Sequence, residues 1–209
     1  MKMLFNLFLF ILCCDIRFAQ NNYPAIWDTL RNISQWETVY KTEKYELSQY
    51  QIKEYPIPAI KIDMLLEADP QSILDVAWDV SKYTSVLPSA FVTSANIESK
   101  MDSIQTAWHI IDIPLLAPRL YWFRHIRTSS SVDWYKISVD KNFKNENIIP
   151  LFNVGSWKIS ELNGKNILTY TVLTDPNGNI PRWIVKKAQM HYLPKMLLEA
   201  EIYALSLNR

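Results

Sequence analysis

Glycine and cysteine are scarce in this 209-residue chain, which has three glycines and two cysteines. Three scattered glycines do not form the glycine-rich loop that cradles phosphate groups. Both cysteines, Cys13 and Cys14, lie in an apolar segment at the N-terminus. If that segment is removed, the mature protein contains neither a thiol nucleophile nor a disulfide, and its stability must come from its core.

The common enzyme motifs are also missing. The sequence contains no Gly-x-Ser-x-Gly, no His-Glu-x-x-His and no phosphate-loop pattern. Its three histidines, His109, His125 and His191, are far apart along the chain. A metal site built from them would need three separate elements to converge, so we predict no metal site, no cofactor and no catalytic residue.

The N-terminus has the pattern of a signal peptide. Lys2 precedes an apolar run from Met3 to Cys14 that only Asn6 interrupts. About 12 helical residues at ~1.5 Å each are too short to cross a hydrocarbon core of ~30 Å. We therefore predict a signal peptide over residues 1–19, cleavage after Ala19, and a periplasmic or secreted protein. Arg17 stands where a small residue is preferred, so an uncleaved anchor is the alternative.

The remaining chain, residues 20–209, is electrically balanced. Loss of Lys2, Arg17 and Asp15 reduces the totals of 22 basic and 21 acidic residues to 20 of each. A neutral surface gives no electrostatic reason to bind nucleic acid, so we expect no nucleic-acid partner, and we expect a monomer.

The pattern along residues 20–209 indicates one α+β domain. A short helix at about 23–34 and strands between 36 and 68 come first, then a helix that Asp69 caps and Pro70 begins, then six strands, then a helix from Pro181 to about Leu205. Such runs of strands with helices between and after them favour an antiparallel sheet. The last helix is too apolar to face solvent, so it must lie against the sheet, and the apolar pattern continues past Pro194, which predicts a bend there rather than an end.

Several segments resemble the START lipid-binding domains. The run Asp175-Pro176-Asn177-Gly178-Asn179-Ile180-Pro181 is similar to the family's signature at the start of the last helix. The strands around 155–159 and 169–172, and the arginine-led strand that begins at Pro118-Arg119, are similar to the strands that accompany that signature. The resemblance implies a helix-grip fold, in which a curved antiparallel sheet wraps a long C-terminal helix around an internal apolar cavity. It also implies binding, and possible transfer, of a lipid or another hydrophobic small molecule.

Two elements supply the candidate ligand-binding residues. On the strand after Arg119, alternation puts Arg124 in phase with Trp122, and we predict that both point into the cavity. A buried arginine needs a carboxylate, such as Asp112, Asp133 or Glu161, or else a ligand head group. The last helix contributes the other candidates, namely Trp183, Ile184, Lys187, Ala188 and His191.

The sequence thus predicts a non-enzymatic carrier or sensor of a hydrophobic molecule outside the cytoplasm. The apolar loop from Ile113 to Leu120 could make transient contact with a membrane. One alternative is an enzyme of the same fold, resembling cyclases and aromatases, that uses His125 or Asp133 on a polyketide-like substrate. The other is a structural partner protein whose cavity is filled by its own side chains.

Overall fold

A computed structural model describes residues 24–114, 116–140, 143 and 146–207. The predicted signal peptide lies outside these residues. The described part contains α1 (Ala25–Arg31), β1 (Glu37–Lys41), β2 (Tyr45–Tyr50), β3 (Ala59–Leu65), α2 (Pro70–Trp78), α3 (Tyr83–Val86), β4 (Val92–Met101), β5 (Ile104–Ile111), β6 (Arg119–Arg127), β7 (Ser131–Lys136), β8 (Phe152–Leu162), β9 (Lys165–Asp175) and α4 (Arg182–Leu207).

The nine strands form one antiparallel sheet in the order β1-β2-β3-β9-β8-β7-β6-β5-β4. Local turn chemistry sets parts of this topology. Asn163 and Gly164 have φ of 53° and 73° and form a two-residue turn between the paired ends of β8 and β9. The predicted α+β class is confirmed, and so is the long C-terminal helix held by a curved sheet.

The main core lies between the concave face of the sheet and the helices. On β3, Ile60, Ile62 and Met64 are fully buried, whereas the intervening Lys61 and Asp63 pair with each other at 2.6 Å outside the core. The predicted cap of α2 is also present, because the Asp69 carboxylate accepts a hydrogen bond of 2.9 Å from the Ser72 backbone N–H. The alternation and the cap were both readable in the sequence.

A smaller apolar cluster lies on the outer face of the sheet. The N-terminal helix α1 places Trp27 and Leu30 against Val154 of β8 and Leu173 of β9. Strands β8 and β9 are therefore packed against apolar clusters on both faces of the sheet.

The helix α4 continues through Pro194 without ending there, as predicted. The bend at that residue stays a prediction. Polar bonds hold the half of α4 after Pro194. Buried Glu201 accepts a hydrogen bond of 2.7 Å from the Glu67 backbone N–H and pairs with Lys44 at 2.7 Å, and Glu199 accepts from the Ser89 backbone and hydroxyl.

The half of α4 before Pro194 has no comparable bonds. Within the described ranges, no side-chain hydrogen bond or ion pair joins residues 182–190 to the sheet. The two halves of α4 are therefore held by different forces, polar bonds with packing in the second half and packing alone in the first.

Gly155 on β8 gives a stability test of the close contact between strands. A Cβ at this position would overlap the Trp134 indole and lie 2.5 Å from the carbonyl oxygen of Thr171. We expect Gly155→Ala to lower the free energy of unfolding by about 2 kcal/mol or more, because neither the strand nor the indole can move away without disturbing the core. Urea denaturation measures this. Ser160→Ala, an exposed position on the same strand, is the control and should change stability little; equal effects of the two changes would contradict the packing argument.

Candidate functional site: a cavity between the sheet and the last helix

A cavity of about 210 Å³ separates the first half of α4 from the concave face of the sheet. Its wall is mostly apolar, with Phe123, Trp157, Val172 and Ile184 among the lining residues. An apolar wall of this kind favours an apolar occupant, because each buried methylene group contributes about 0.8 kcal/mol.

The strand β6 presents to the cavity the face opposite to the predicted one. Arg119, Tyr121, Phe123 and His125 line the cavity, whereas Arg124 is exposed. The interior positions predicted for Arg124 and Trp122 are therefore wrong, although the two residues do share a face as predicted.

Aromatic packing on the outer face explains the error. The Trp122 ring lies 6.3 Å from the Trp108 ring and 4.9 Å from the Phe143 ring, between centroids. Trp122 is thus buried on the convex side, under the connection that follows β7. Because β6 is apolar on both faces, alternation alone did not reveal which face is concave.

The predicted residues of α4 divide between two faces of the helix. Ile184 and Ala188 line the cavity, and their contact with a ligand stays a prediction. Trp183, Lys187 and His191 lie four residues apart on an exposed stripe, and Trp183 is 67% exposed. The structure places these three outside the cavity wall.

Arg119 is the buried arginine of this fold, at 5% exposure. Its guanidinium donates to the carbonyl oxygens of Ala117, Pro176 (3.3 Å) and Asn177 (3.3 Å). Among the described residues, no carboxylate lies within ion-pair distance of it. Arg119 therefore ties the loop before β6 to the turn before α4, at one end of the cavity.

The turn that Arg119 holds matches the START-like signature. Asn177 and Gly178 have φ of 60° and 83°, as Asn-Gly permits. The Asn177 side chain donates to the Ile149 carbonyl at 3.0 Å, and its backbone N–H donates to the Asp175 carboxylate at 2.8 Å. The signature residues thus shape the turn that starts α4.

Two buried histidines line the cavity. His109 on β5 lies opposite Tyr121, and its ring is 5.2 Å from the Phe123 ring. Burial lowers the pKa of His109 to about 4; burial and the neighbouring His109 lower the pKa of His125 to about 3. Both rings are therefore neutral at pH 7, and neither Nδ1 atom has a hydrogen-bond partner.

Gln189 places an amide on the cavity-facing stripe of α4. It is 9% exposed, and neither its amide nitrogen nor its amide oxygen has a partner. Sequence reasoning missed Gln189. The signal was present, because Gln189 interrupts a stripe in which Val185, Ala188 and Leu193 are apolar.

In the part of the chain that the structure describes, no three histidine, cysteine, aspartate or glutamate residues cluster to hold a metal ion. No helix in the same ranges is long and apolar enough to cross a membrane.

No protein-family model matches the sequence, and no curated protein matches it. Solved structures do match the fold. A STAR-related lipid transfer protein from Xanthomonas axonopodis has a TM-score of 0.68 at 15% identity, over 79% of this chain and 96% of that one. Human StAR-related lipid transfer protein 5 has a TM-score of 0.71 at 14% identity, over 88% and 93%. A Streptomyces aromatase/cyclase has a TM-score of 0.54 at 12% identity, over 72% and 95%.

These similarities define the fold as the helix-grip fold, and within it the chain has the fold of the START domains. The resemblance seen in the sequence is confirmed at that level. At 15% identity or less, the solved structures establish the architecture and leave the ligand to be argued from the cavity itself.

The neutral histidines predict a pH-dependent stability. The unfolded chain binds protons on His109 and His125 below about pH 6.5, whereas the folded chain does so only near the lowered pKa values. The stability that comes from keeping both rings neutral should therefore be fully present above about pH 6.5. It should be lost as the pH drops towards 4, so the free energy of unfolding falls over this range.

His125→Leu should flatten this slope, since one of the two buried rings is gone. Urea denaturation between pH 7.5 and 4.5 measures it. Ser160→Ala, a change at an exposed position of β8 that removes no titratable group, is the control and should leave the slope unchanged. A wild-type slope that His125→Leu does not alter would contradict the assignment.

Proposed function

We propose that this protein is a non-enzymatic carrier that binds a lipid or another hydrophobic small molecule in the cavity under α4. The observation that carries the proposal is an apolar cavity, bounded by Phe123, Trp157 and Ile184, in the interior of a START-type fold. The two lipid transfer proteins that share the fold support the same class of ligand.

The size of the cavity bears on how a ligand is accommodated. Its volume of about 210 Å³ is below the ~300–1,000 Å³ of pockets that hold drug-sized molecules. A lipid of ordinary length would therefore displace part of the wall. The first half of α4 is the wall segment held by packing alone, so we propose that it moves aside when a ligand enters.

Filling the cavity tests the proposal. Ala188→Phe places a ring where a methyl group lines the wall, and we expect it to weaken the binding of a neutral hydrophobic dye at least ten-fold. Ile202→Phe is the matched control, because Ile202 is an exposed residue on the same helix, and it should leave binding unchanged. Dye titration measures affinity, and native mass spectrometry of extracted protein reports any lipid that copurifies.

Two outcomes would contradict a carrier. Unchanged dye binding in Ala188→Phe would place the dye elsewhere on the molecule. If the protein is compact but neither copurifies with a lipid nor binds the dye, the result would favour the structural partner protein, in which the protein's own side chains fill the cavity.

The histidines support a second candidate, an enzyme of the same fold. His125 lies inside the cavity and an aromatase/cyclase shares the fold. The ring is neutral at pH 7, as a general base must be, but its lowered pKa of about 3 makes it a weak base. Asp133 does not share this position, because it is absent from the cavity wall and accepts a hydrogen bond of 2.6 Å from the Ser156 hydroxyl. If the protein converts a polyketide-like substrate and His125→Leu abolishes this conversion, the result would support the enzyme over the carrier.

We also propose that the protein acts outside the cytoplasm. The support is the lysine followed by a short apolar run in residues 1–19. N-terminal sequencing of the exported protein should begin at Gln20. An intact Met1 in a membrane fraction would instead show that the segment is an anchor.

A further inference from the structure

The Gln189 side chain is costly where it lies. Both polar atoms of its amide are buried and unpaired, on a cavity-lining stripe of α4 whose other members, Tyr192 apart, are apolar. A buried polar group without a partner costs about 1–3 kcal/mol. Leucine or methionine would fill the same space on the helix without that cost, so folding alone does not account for glutamine at this position.

The unpaired polar atoms of the described residues concentrate around this one cavity. Leaving Trp27 aside, six buried side-chain nitrogen and oxygen atoms of the described residues lack a partner, and four of them belong to Gln189, His109 and His125. All three residues line the cavity. The wall is therefore apolar with unused hydrogen-bonding groups on two sides, one on α4 and one on β5 and β6.

The charge inside the cavity is limited to one residue. Of the described residues that line it, Arg119 alone carries a formal charge, since both histidines are neutral at pH 7. Three guanidinium N–H groups of Arg119 already donate to backbone carbonyls of two loops. These donors thus mainly hold together the two loops at the end of the cavity. The amide of Gln189, in contrast, makes no hydrogen bond within the fold.

We infer that the ligand is an amphiphile with an uncharged polar head that both donates and accepts hydrogen bonds, a carboxamide or a hydroxyl, and that Gln189 binds this head. The inference rests on the proposed function. A ligand carboxamide pairs reciprocally with the Gln189 amide, because each has one carbonyl acceptor and N–H donors. A carboxylate only accepts, so it would leave the Gln189 oxygen unpaired and facing a negative charge.

Decanamide and decanoate form a matched pair of probes, because they have the same chain and nearly the same head shape but differ in charge and in N–H donors. Their affinities are measured at neutral pH by displacement of the neutral dye N-phenylnaphthylamine from the purified protein. We expect decanamide to bind about ten-fold tighter than decanoate, and decanol to resemble decanamide.

The variant Gln189→Met keeps the length of the side chain and removes its hydrogen bonds. It should weaken decanamide about ten-fold, leave decanoate and the dye nearly unchanged, and so abolish the discrimination. Gln71→Met is the control, because the same substitution is made at an exposed glutamine on α2, and it should keep the discrimination intact.

Each other result overturns the inference. Tighter binding of decanoate would make Arg119 the head-group anchor and the ligand an anion. Equal binding of the two probes, or discrimination that survives in Gln189→Met, would remove Gln189 from head recognition while leaving a hydrophobic carrier. Failure of the dye itself to bind would overturn the proposed function together with the inference.

Discussion

The second half of α4 fixes the geometry on which the cavity depends. Leu197, Ala200 and Ala204 are fully buried against the sheet and its neighbouring helices, and Glu201 joins that half to the β2–β3 region through Lys44 and the Glu67 backbone. A buried carboxylate is stable only when its charge is paired and its oxygens accept hydrogen bonds, and both conditions are met here. With one half of the helix held in this way, the other half lies across the concave sheet at a distance that side chains do not fully fill.

Pro194 lies at the border between the halves, where it removes one backbone donor and lowers the cost of moving one half relative to the other.

The interior combines two requirements that usually conflict. An apolar wall makes any unpaired polar group inside it costly. His109, His125 and Gln189 nevertheless line the cavity. Burial resolves part of the conflict by keeping the histidine rings uncharged at neutral pH. The result is a low-dielectric space without a net negative charge. Its hydrogen-bonding groups are neutral, so the direction of each hydrogen bond matters more for binding than the charge of the ligand. Such a space discriminates among heads of similar size by their pattern of donors and acceptors.

Most of the fold could be predicted from local sequence signals, because each signal has a direct physical cause. The Asp69 cap acted as expected, and the alternation in β3 and the Asn163-Gly164 turn are local signals of the same kind. The site was predicted less well, because its residues depend on which face of an element points inward. For β6, both faces are apolar, and the outer one is covered by Phe143, a residue from a connection with no readable pattern. For α4, the error was one of helical phase. Ile184 and Ala188 were on the inner stripe, while Trp183 and Lys187, adjacent in sequence, were on the outer one.

Among the residues that the structure describes, the sheet is curved but open, so β1 and β4 are its two edges. Exposed edges of this kind are templates on which further strands can add, from another copy of the chain or from a partner. Both edges here carry irregularities that oppose such addition. The pairing of β1 shifts register between Thr38 and Tyr40, and that of β4 shifts twice, between Val92 and Ser94 and between Ile97 and Ser99. Bulges of this type twist an edge away from a flat partner. An open sheet is thereby protected against aggregation along its two edges.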